Sequence, residues 1–247
     1  MNINVNIAPT PKELGQRAAE SIAKLLNQAI TERGVARIIL STGASQFDTI
    51  KALLTMEVDW SCVEVFHLDE YVNLPKTHAA SFRKYLDERF VSKVTLKKMH
   101  YVDGEGDVQA NIKQLTAELK KAPIDVGVIG IGENGHIAFN DPPADFASDE
   151  AYKIVKLDNK CKMQQVGEGW FPSIDDVPTQ AITMLPKQIM ACRHIVSSSP
   201  HAVKSWAIFH TIINVVNNNL PATLLKNHPS WQLFLDRNSA SMLFNYN

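Results

Sequence analysis

The sequence contains few cysteines: Cys62, Cys161 and Cys192 lie far apart and form no CxxC pair. So sparse and odd a set gives no disulfide framework and no spacing typical of a thiolate metal site. It is typical of a protein kept in a reducing cytosol. We therefore expect a cytoplasmic protein that binds no metal through these residues.

An excess of either charge is also missing, since 25 basic residues face 26 acidic ones and the net charge is −1. No basic run is interleaved with regularly placed aromatic residues, which argues against a nucleic-acid-binding protein. No apolar stretch reaches membrane-spanning length, and the N-terminal residues do not resemble a signal segment. We expect no nucleic-acid partner and no membrane, whereas a homo-oligomer stays open.

Strand-like and helix-like segments alternate along the 247 residues, of which 45% are hydrophobic. This alternation predicts an α/β protein with a mostly parallel sheet and helices on both faces. We expect one domain over residues 1–247, because no linker or repeat interrupts the pattern. Residues 158–178 are the least regular part, with several glycines and prolines and the large side chains Met163, Trp170 and Phe171. They are interpreted as a lid or as an ordinary surface loop.

The stretch Ile124 to Pro143, IDVGVIGIGENGHIAFNDPP, begins as a strand that is apolar on both faces. Such a strand belongs in the centre of a parallel sheet, and ligands bind beyond the carboxyl ends of such strands. The glycine-containing turn that follows carries His136, and Asp141 lies just beyond it. A histidine beside a carboxylate suits proton transfer. A glycine-rich turn with a hydrogen-bonded histidine explains the pattern equally well.

A second polar turn follows the strand Val35 to Leu40. It reads STGAS and consists of Ser41, Thr42, Gly43, Ala44 and Ser45. Backbone N–H groups and hydroxyls of such a turn can converge on an anion, although an N-capped turn is the commoner explanation. The turn matches neither a Walker A loop nor the GxGxxG dinucleotide fingerprint. Lys204, in the first turn of a helix predicted over His201 to Val216, is either a second anion contact or a solvated lysine.

Acidic residues end a third predicted strand, Val63 to Leu68, which is followed by Asp69 and Glu70. The carboxyl ends of parallel strands meet at one edge of a sheet, so Asp69 is expected in the same crevice as STGAS and His136. A single carboxylate at such a position more often braces a loop.

Together, FHLDEYVNLP (Phe66 to Pro75) and GIGENGHIAFNDPP (Gly130 to Pro143) closely resemble the glucosamine-6-phosphate deaminase (isomerase) family. The resemblance covers nearly the whole chain. It implies a Rossmann-like three-layer sandwich related to ribose-5-phosphate isomerase and 6-phosphogluconolactonase. It also implies conversion of glucosamine 6-phosphate and water to fructose 6-phosphate and ammonia, with a sugar-phosphate substrate and no metal or redox cofactor.

The resemblance also implies roles for individual residues. Asp69 matches the base that moves a proton between C2 and C1, and His136 matches the acid/base that opens the sugar ring. Asn134 and Asp141 match the polar partners of that histidine. The residues that match the phosphate site are Ser41, Thr42, Gly43, Ala44, Ser45 and Lys204.

Three positions depart from the family pattern. Asn134 replaces an aspartate, Asp141 replaces a glutamate one methylene longer, and no lid arginine occurs among Lys160 to Phe171. Lys160, Lys162 or Gln165 are the candidates to replace that arginine. Three alternatives are therefore kept: deamination of galactosamine 6-phosphate, hydrolysis of 6-phosphogluconolactone, and non-catalytic sugar-phosphate sensing.

Overall fold

The computed structural model of the protein describes residues 3–244. Its strands are β1 (Asn4–Ala8), β2 (Ala36–Leu40), β3 (Val63–His67), β4 (Asp69–Tyr71), β5 (Lys98–His100), β6 (Val126–Val128), β7 (Tyr152–Lys156), β8 (Gln180–Met184), β9 (His194–Ser199) and β10 (Trp231–Asp236). Its helices are α1 (Pro11–Arg33), α2 (Phe47–Leu53), α3 (Phe82–Arg89), α4 (Val108–Leu119), α5 (Asn159–Gly167), α6 (Pro186–Met190), α7 (Ser205–Ile213) and α8 (Ser241–Phe244). None of the helices in this part of the chain combines the length and the apolar character needed to cross a bilayer.

Seven strands form one parallel sheet in the order β1-β10-β9-β6-β2-β3-β5. Every residue of β2 and β6 is buried, as expected for central strands covered on both faces. On one face Ile38 and Val65 pack with α1 and α2, and on the other Ile39 and Phe66 pack with residues of α4 and α7. The predicted parallel sheet with helices on both faces is confirmed.

The first helix begins and ends where its sequence predicts. Thr10 caps α1, since its hydroxyl oxygen accepts a hydrogen bond from the Glu13 backbone N–H at 3.2 Å, and Pro11 is the first helical residue. Gly34 ends the helix with φ at +72°, a conformation that costs glycine little.

A second sheet was not predicted. Strands β4, β8 and β7 form an antiparallel sheet of three strands, in which Asp69 pairs with Thr183. The strand predicted over Val63 to Leu68 ends at His67, and the chain enters this smaller sheet at Asp69. Asp69 is therefore a strand residue of the second sheet and does not lie in a turn at the edge of the first.

The segment predicted to be irregular, residues 158–178, contains α5 and a 3₁₀ turn at Ile174–Asp176. The expectation of an irregular segment was wrong for Asn159–Gly167, because Asp158 is a strong helix start: its carboxylate accepts a hydrogen bond from the Cys161 N–H at 2.7 Å. Residues 168–178 consist of turns, bends and irregular backbone apart from the 3₁₀ turn. Gly169, with φ at +80°, lies beyond the helix end, so the glycines terminate the helix and do not prevent it.

Candidate active site

A cavity of about 590 Å³, counted with its open mouth, lies beyond the carboxyl ends of the parallel strands. The predicted site residues that line it are Ser41, Thr42, Gly43, Ala44, Ser45, Asp69, His136 and Lys204. Asn134 and Asp141 do not line the cavity; Asp141 lies against the His136 ring, and Asn134 contacts the His136 backbone. The sequence-predicted crevice therefore brings the loop, the lysine, the carboxylate and the histidine together.

The loop from Ser41 to Ser45 connects β2 to a 3₁₀ turn and then α2. Gly43 has φ at +97°, and the Tyr85 hydroxyl donates a hydrogen bond to the Gly43 carbonyl at 3.1 Å. The Ser41 side chain is buried, and its hydroxyl has no hydrogen-bond partner among residues 3–244. Buried hydroxyls are nearly always paired in proteins, so this one is a natural ligand contact.

Lys204 brings a positive charge to the same cavity from the 3₁₀ turn Ala202–Lys204, ahead of α7. It is only 6% exposed, and its ammonium has no ion-pair partner within 4.0 Å in the described chain. Burial lowers the pKa of Lys204, whereas the nearby carboxylates of Glu168 and Glu133 oppose this. A buried cation without a partner is costly, and an anionic ligand would supply the missing countercharge.

The imidazole of His136 lies flat over Gly132. A Cβ atom at Gly132 would stand 2.3 Å from two ring atoms of His136, so only glycine leaves room for the ring. The Asn134 side-chain oxygen accepts a hydrogen bond from the His136 backbone N–H at 3.1 Å, which fixes the turn. Burial, and secondarily Lys204, lowers the pKa of His136 to about 3. The histidine is therefore neutral at pH 7 and can accept a proton on one nitrogen while it donates from the other.

Asp141 reaches His136 directly despite its shorter side chain. Its Oδ1 lies 3.4 Å from the Nδ1 of His136. Burial, then the charge of Asp158, raises the pKa of Asp141 to about 6. Asn134 acts on this pair through the backbone N–H of His136, a role that does not need the charge of an aspartate.

Asp69 and Glu70 point to opposite sides of β4, because successive strand residues do so. Asp69 lines the cavity, and burial, with Glu70 as a second cause, raises its pKa to about 8. Glu70 points away and receives hydrogen bonds from the backbone N–H groups of Phe82 and Arg83 and from the Ser81 hydroxyl. Glu70 therefore anchors the start of α3, whereas Asp69 keeps a carboxyl group for the cavity.

Three cavity residues come from α5 and its end: Gln164, Gln165 and Glu168. The Tyr71 hydroxyl donates to the side-chain oxygen of Gln165 at 2.8 Å, and Glu168 accepts hydrogen bonds from Gln164 and Trp170. Of the three candidates to replace the lid arginine, only Gln165 lines the cavity; Lys160 and Lys162 do not. Glu168 was missed; the Asp158 helix start signals α5, but the position of that helix at the cavity depends on tertiary packing.

Among the described residues, no group of three or more His, Cys, Asp or Glu side chains is arranged to hold a metal ion. The acidic and histidine side chains of the cavity are instead distributed over separate elements.

Comparison with known proteins gives a consistent result. Residues 9–232 match the family described as glucosamine-6-phosphate isomerases/6-phosphogluconolactonase. The chain is 34% identical over 221 residues to the glucosamine-6-phosphate deaminase of Listeria monocytogenes, covering 89% of this chain and 93% of the relative. It is 29% identical over 242 residues to the enzyme of that name from Lactobacillus delbrueckii, covering 98% and 100%.

Solved structures agree with this comparison. A monomeric glucosamine-6-phosphate deaminase has a TM-score of 0.89 at 26% identity, with 97% of this chain and 100% of that chain covered. The 6-phosphogluconolactonase from Trypanosoma brucei has a TM-score of 0.79 at 16% identity, with 98% and 99% covered. The latter likeness is one of fold.

Proposed function

The chain belongs to the family of glucosamine-6-phosphate isomerases and 6-phosphogluconolactonases, and we propose that it deaminates glucosamine 6-phosphate to fructose 6-phosphate and ammonia. The observation that carries the proposal is that Asp69 and His136, from separate elements, line one cavity with Lys204 and the serine-rich loop. The relatives named above support the choice of substrate.

The phosphate is assigned to the loop Ser41 to Ser45 and to Lys204. The loop offers backbone N–H groups and hydroxyls, and the lysine offers a buried charge. Held at its phosphate, the sugar extends towards His136 and Asp69 on the other walls of the cavity.

Ring opening is assigned to His136. A neutral imidazole can take the proton of the C1 hydroxyl and return a proton to the ring oxygen, which leaves an aldehyde at C1. Asp141, 3.4 Å from Nδ1, stabilises the imidazolium that forms between the two proton transfers. Asn134 holds the turn of His136 through the hydrogen bond to its backbone N–H.

Removal of the proton on C2 is assigned to Asp69. Its carboxylate removes the proton from C2 and delivers it to C1, while one ammonium proton passes to the C1 oxygen, so that an iminium forms at C2 and a hydroxyl at C1. Water then adds at C2 and ammonia leaves. Burial favours the protonated acid in the free protein, but the substrate carries an ammonium group at C2, beside this proton. That positive charge lowers the pKa of the neighbouring carboxyl group, so that the substrate itself favours the basic form of Asp69.

Hydrolysis of 6-phosphogluconolactone is the alternative within the family. It would use the phosphate site and His136, but it breaks no C–H bond and has no use for a carbon base at Asp69. The lactonase structure quoted above is 16% identical and supports the fold alone. The presence of Asp69 in the cavity favours the deaminase.

The test is a substrate panel. Purified protein is given glucosamine 6-phosphate, galactosamine 6-phosphate, N-acetylglucosamine 6-phosphate or 6-phosphogluconolactone, and ammonia, ketose phosphate and lactone hydrolysis are measured. We expect equal amounts of ammonia and fructose 6-phosphate from glucosamine 6-phosphate. Faster lactone hydrolysis, faster release from the galacto sugar, or tight binding without turnover would each contradict the proposal.

A further inference from the structure

The residue after the phosphate loop, Gln46, has a side chain that is completely buried and makes two hydrogen bonds through its amide nitrogen. One runs from Nε2 to the hydroxyl oxygen of Ser45 at 3.0 Å, and the other to the carbonyl oxygen of Ser198 at 3.2 Å. Ser45 lies in the loop and lines the cavity, whereas Ser198 belongs to β9. The side chain thus joins the loop after β2 to a strand two places away in the sheet, across the end of β6.

The chemistry of these partners fixes the direction of both bonds. A backbone carbonyl such as that of Ser198 only accepts, so the amide group beside it must be the NH₂ and not the oxygen. The second N–H of that NH₂ then points to the Ser45 oxygen, which therefore accepts. A hydroxyl that accepts from Gln46 keeps its own proton for another partner.

We propose that Gln46 is a positioning residue that sets the Ser45 hydroxyl as a hydrogen-bond donor to the substrate phosphate. The proposal rests on the proposed function only in placing a phosphate against Ser41 to Ser45. An unprotonated phosphate oxygen can only accept from Ser45, and a hydroxyl that is already oriented needs no reorganisation when the anion binds.

The surroundings of Gln46 keep this arrangement in place. The amide lies against Gly130, where a Cβ atom would come within 3.4 Å of Nε2, 3.8 Å of the Ser41 hydroxyl and 4.0 Å of the Ser45 hydroxyl. The side-chain oxygen of Gln46 has no hydrogen-bond partner in the described part of the chain. The buried amide therefore uses both of its N–H groups and leaves its oxygen without a partner. We assign the role of Gln46 to the NH₂ group for this reason.

The test is a double-mutant cycle of Gln46→Met and Ser45→Ala, read out by calorimetric binding of inorganic phosphate. Methionine keeps the length of glutamine and removes the donor. Each single variant is expected to weaken phosphate binding about tenfold, since a hydrogen bond to a charged group is lost or misdirected. The double variant is expected to be no weaker than Ser45→Ala, because Gln46 acts only through that hydroxyl. With glucosamine 6-phosphate, KM should rise by the same factor while kcat stays within about twofold.

Thr49→Val is the matched control. Thr49 donates to the Ser198 hydroxyl at 2.9 Å, beside Gln46, but does not reach the cavity. The Thr49→Val variant should have a lower melting temperature and unchanged phosphate binding. Additive losses in the double variant would mean that Gln46 only packs the loop, and the proposal would be overturned. Should Gln46→Met fail to fold, an unaltered phosphate affinity in Ser45→Ala alone would overturn it equally.

Phosphate binding is separable from the identity of the reaction. Lys204→Ala should abolish the calorimetric signal if the anion occupies this cavity. A coupled Gln46–Ser45 effect on inorganic phosphate, without ammonia release from any amino sugar, would refute the deaminase and keep the role of Gln46. The reverse result, deamination with additive variants, would refute the role of Gln46 alone.

Discussion

The two sheets of the molecule supply different chemistry to the same cavity. The seven-stranded parallel sheet ends in the serine-rich loop and the turn of His136, which offer donors and a neutral imidazole. The three-stranded antiparallel sheet supplies Asp69, a buried carboxyl group with a raised pKa. The proposed anchoring and ring opening therefore belong to one sheet and the proposed carbon chemistry to the other. Changes in each sheet should accordingly produce distinguishable kinetic losses.

The largest effect is expected from a change at Asp69, the proposed base, which lies on the small sheet. Asp69→Asn removes a group able to accept the C2 proton, and kcat should fall by a factor of about 10² or more while KM changes little. Ammonia release and exchange of the C2 proton with solvent are the measurements. A variant that keeps normal turnover would place the base elsewhere.

The stability of the same variant provides its control. The pKa of Asp69 is raised to about 8 from an ordinary 3.8, so between these values the folded state binds a proton that the unfolded state releases. The contribution of Asp69 to stability therefore falls as the pH rises from about 4 to 8. Asparagine has no such titration, and Asp69→Asn should melt at a higher temperature than the natural protein at pH 8. An inactive but more stable variant excludes unfolding as the cause.

The next largest effect is expected at Gly132, in the turn that follows a strand of the large sheet, where a substitution removes no functional atom. In Gly132→Ala the new Cβ would overlap the His136 ring, so the imidazole must move away from its position beside Asp141. Turnover of the closed sugar should fall by about one to two orders of magnitude, since small misplacements of catalytic groups are that costly. Gly167→Ala is the control, because its Cβ would meet nothing within 4 Å. Equal activity of both variants would contradict the assigned position of the ring.

The large sheet is also the part of the molecule that could be predicted from the sequence. Its central strands β2 and β6 are buried on both faces, and polar turns follow the ends of its strands, so local patterns made Ser41 to Ser45, His136 and Lys204 candidates for the cavity that they line. The role of Asp69 was suggested by a family resemblance, and its presence in the cavity agrees with that. Its catalytic role stays a prediction.

The small sheet could not be predicted, because its pairing is non-local. Asp69 pairs with Thr183, more than a hundred residues away, and the short run Asp69–Tyr71 has no strand pattern of its own. Gln46 was missed for a related reason: its function depends on the carbonyl of Ser198, on another strand. The lid interpretation of residues 158–178 stays a prediction, although α5 does line the cavity.

A smaller effect is expected from a change at Glu70, whose carboxyl group neighbours that of Asp69 on β4. Glu70 is the second cause of the raised pKa of Asp69. Glu70→Gln removes that charge, so the pKa of Asp69 should fall and the rising limb of kcat/KM against pH should move to more acidic values. Because Glu70 also anchors α3, the melting temperature should drop as well. A limb that moves to higher pH, or does not move, would contradict the assignment of the limb to Asp69.

The smallest effect should come from the contact between the small sheet and α5. The Tyr71 hydroxyl, on β4, donates to the buried oxygen of Gln165 at 2.8 Å, so Tyr71→Phe leaves that oxygen without its donor. The loss of one neutral hydrogen bond is worth about 1 kcal/mol, which corresponds to a change of several-fold in KM for glucosamine 6-phosphate. Phosphate binding, which we assign to the large sheet, should stay the same in calorimetry. If KM rises and the affinity for phosphate falls as well, α5 acts on the phosphate loop, and the two sheets do not divide the chemistry as proposed.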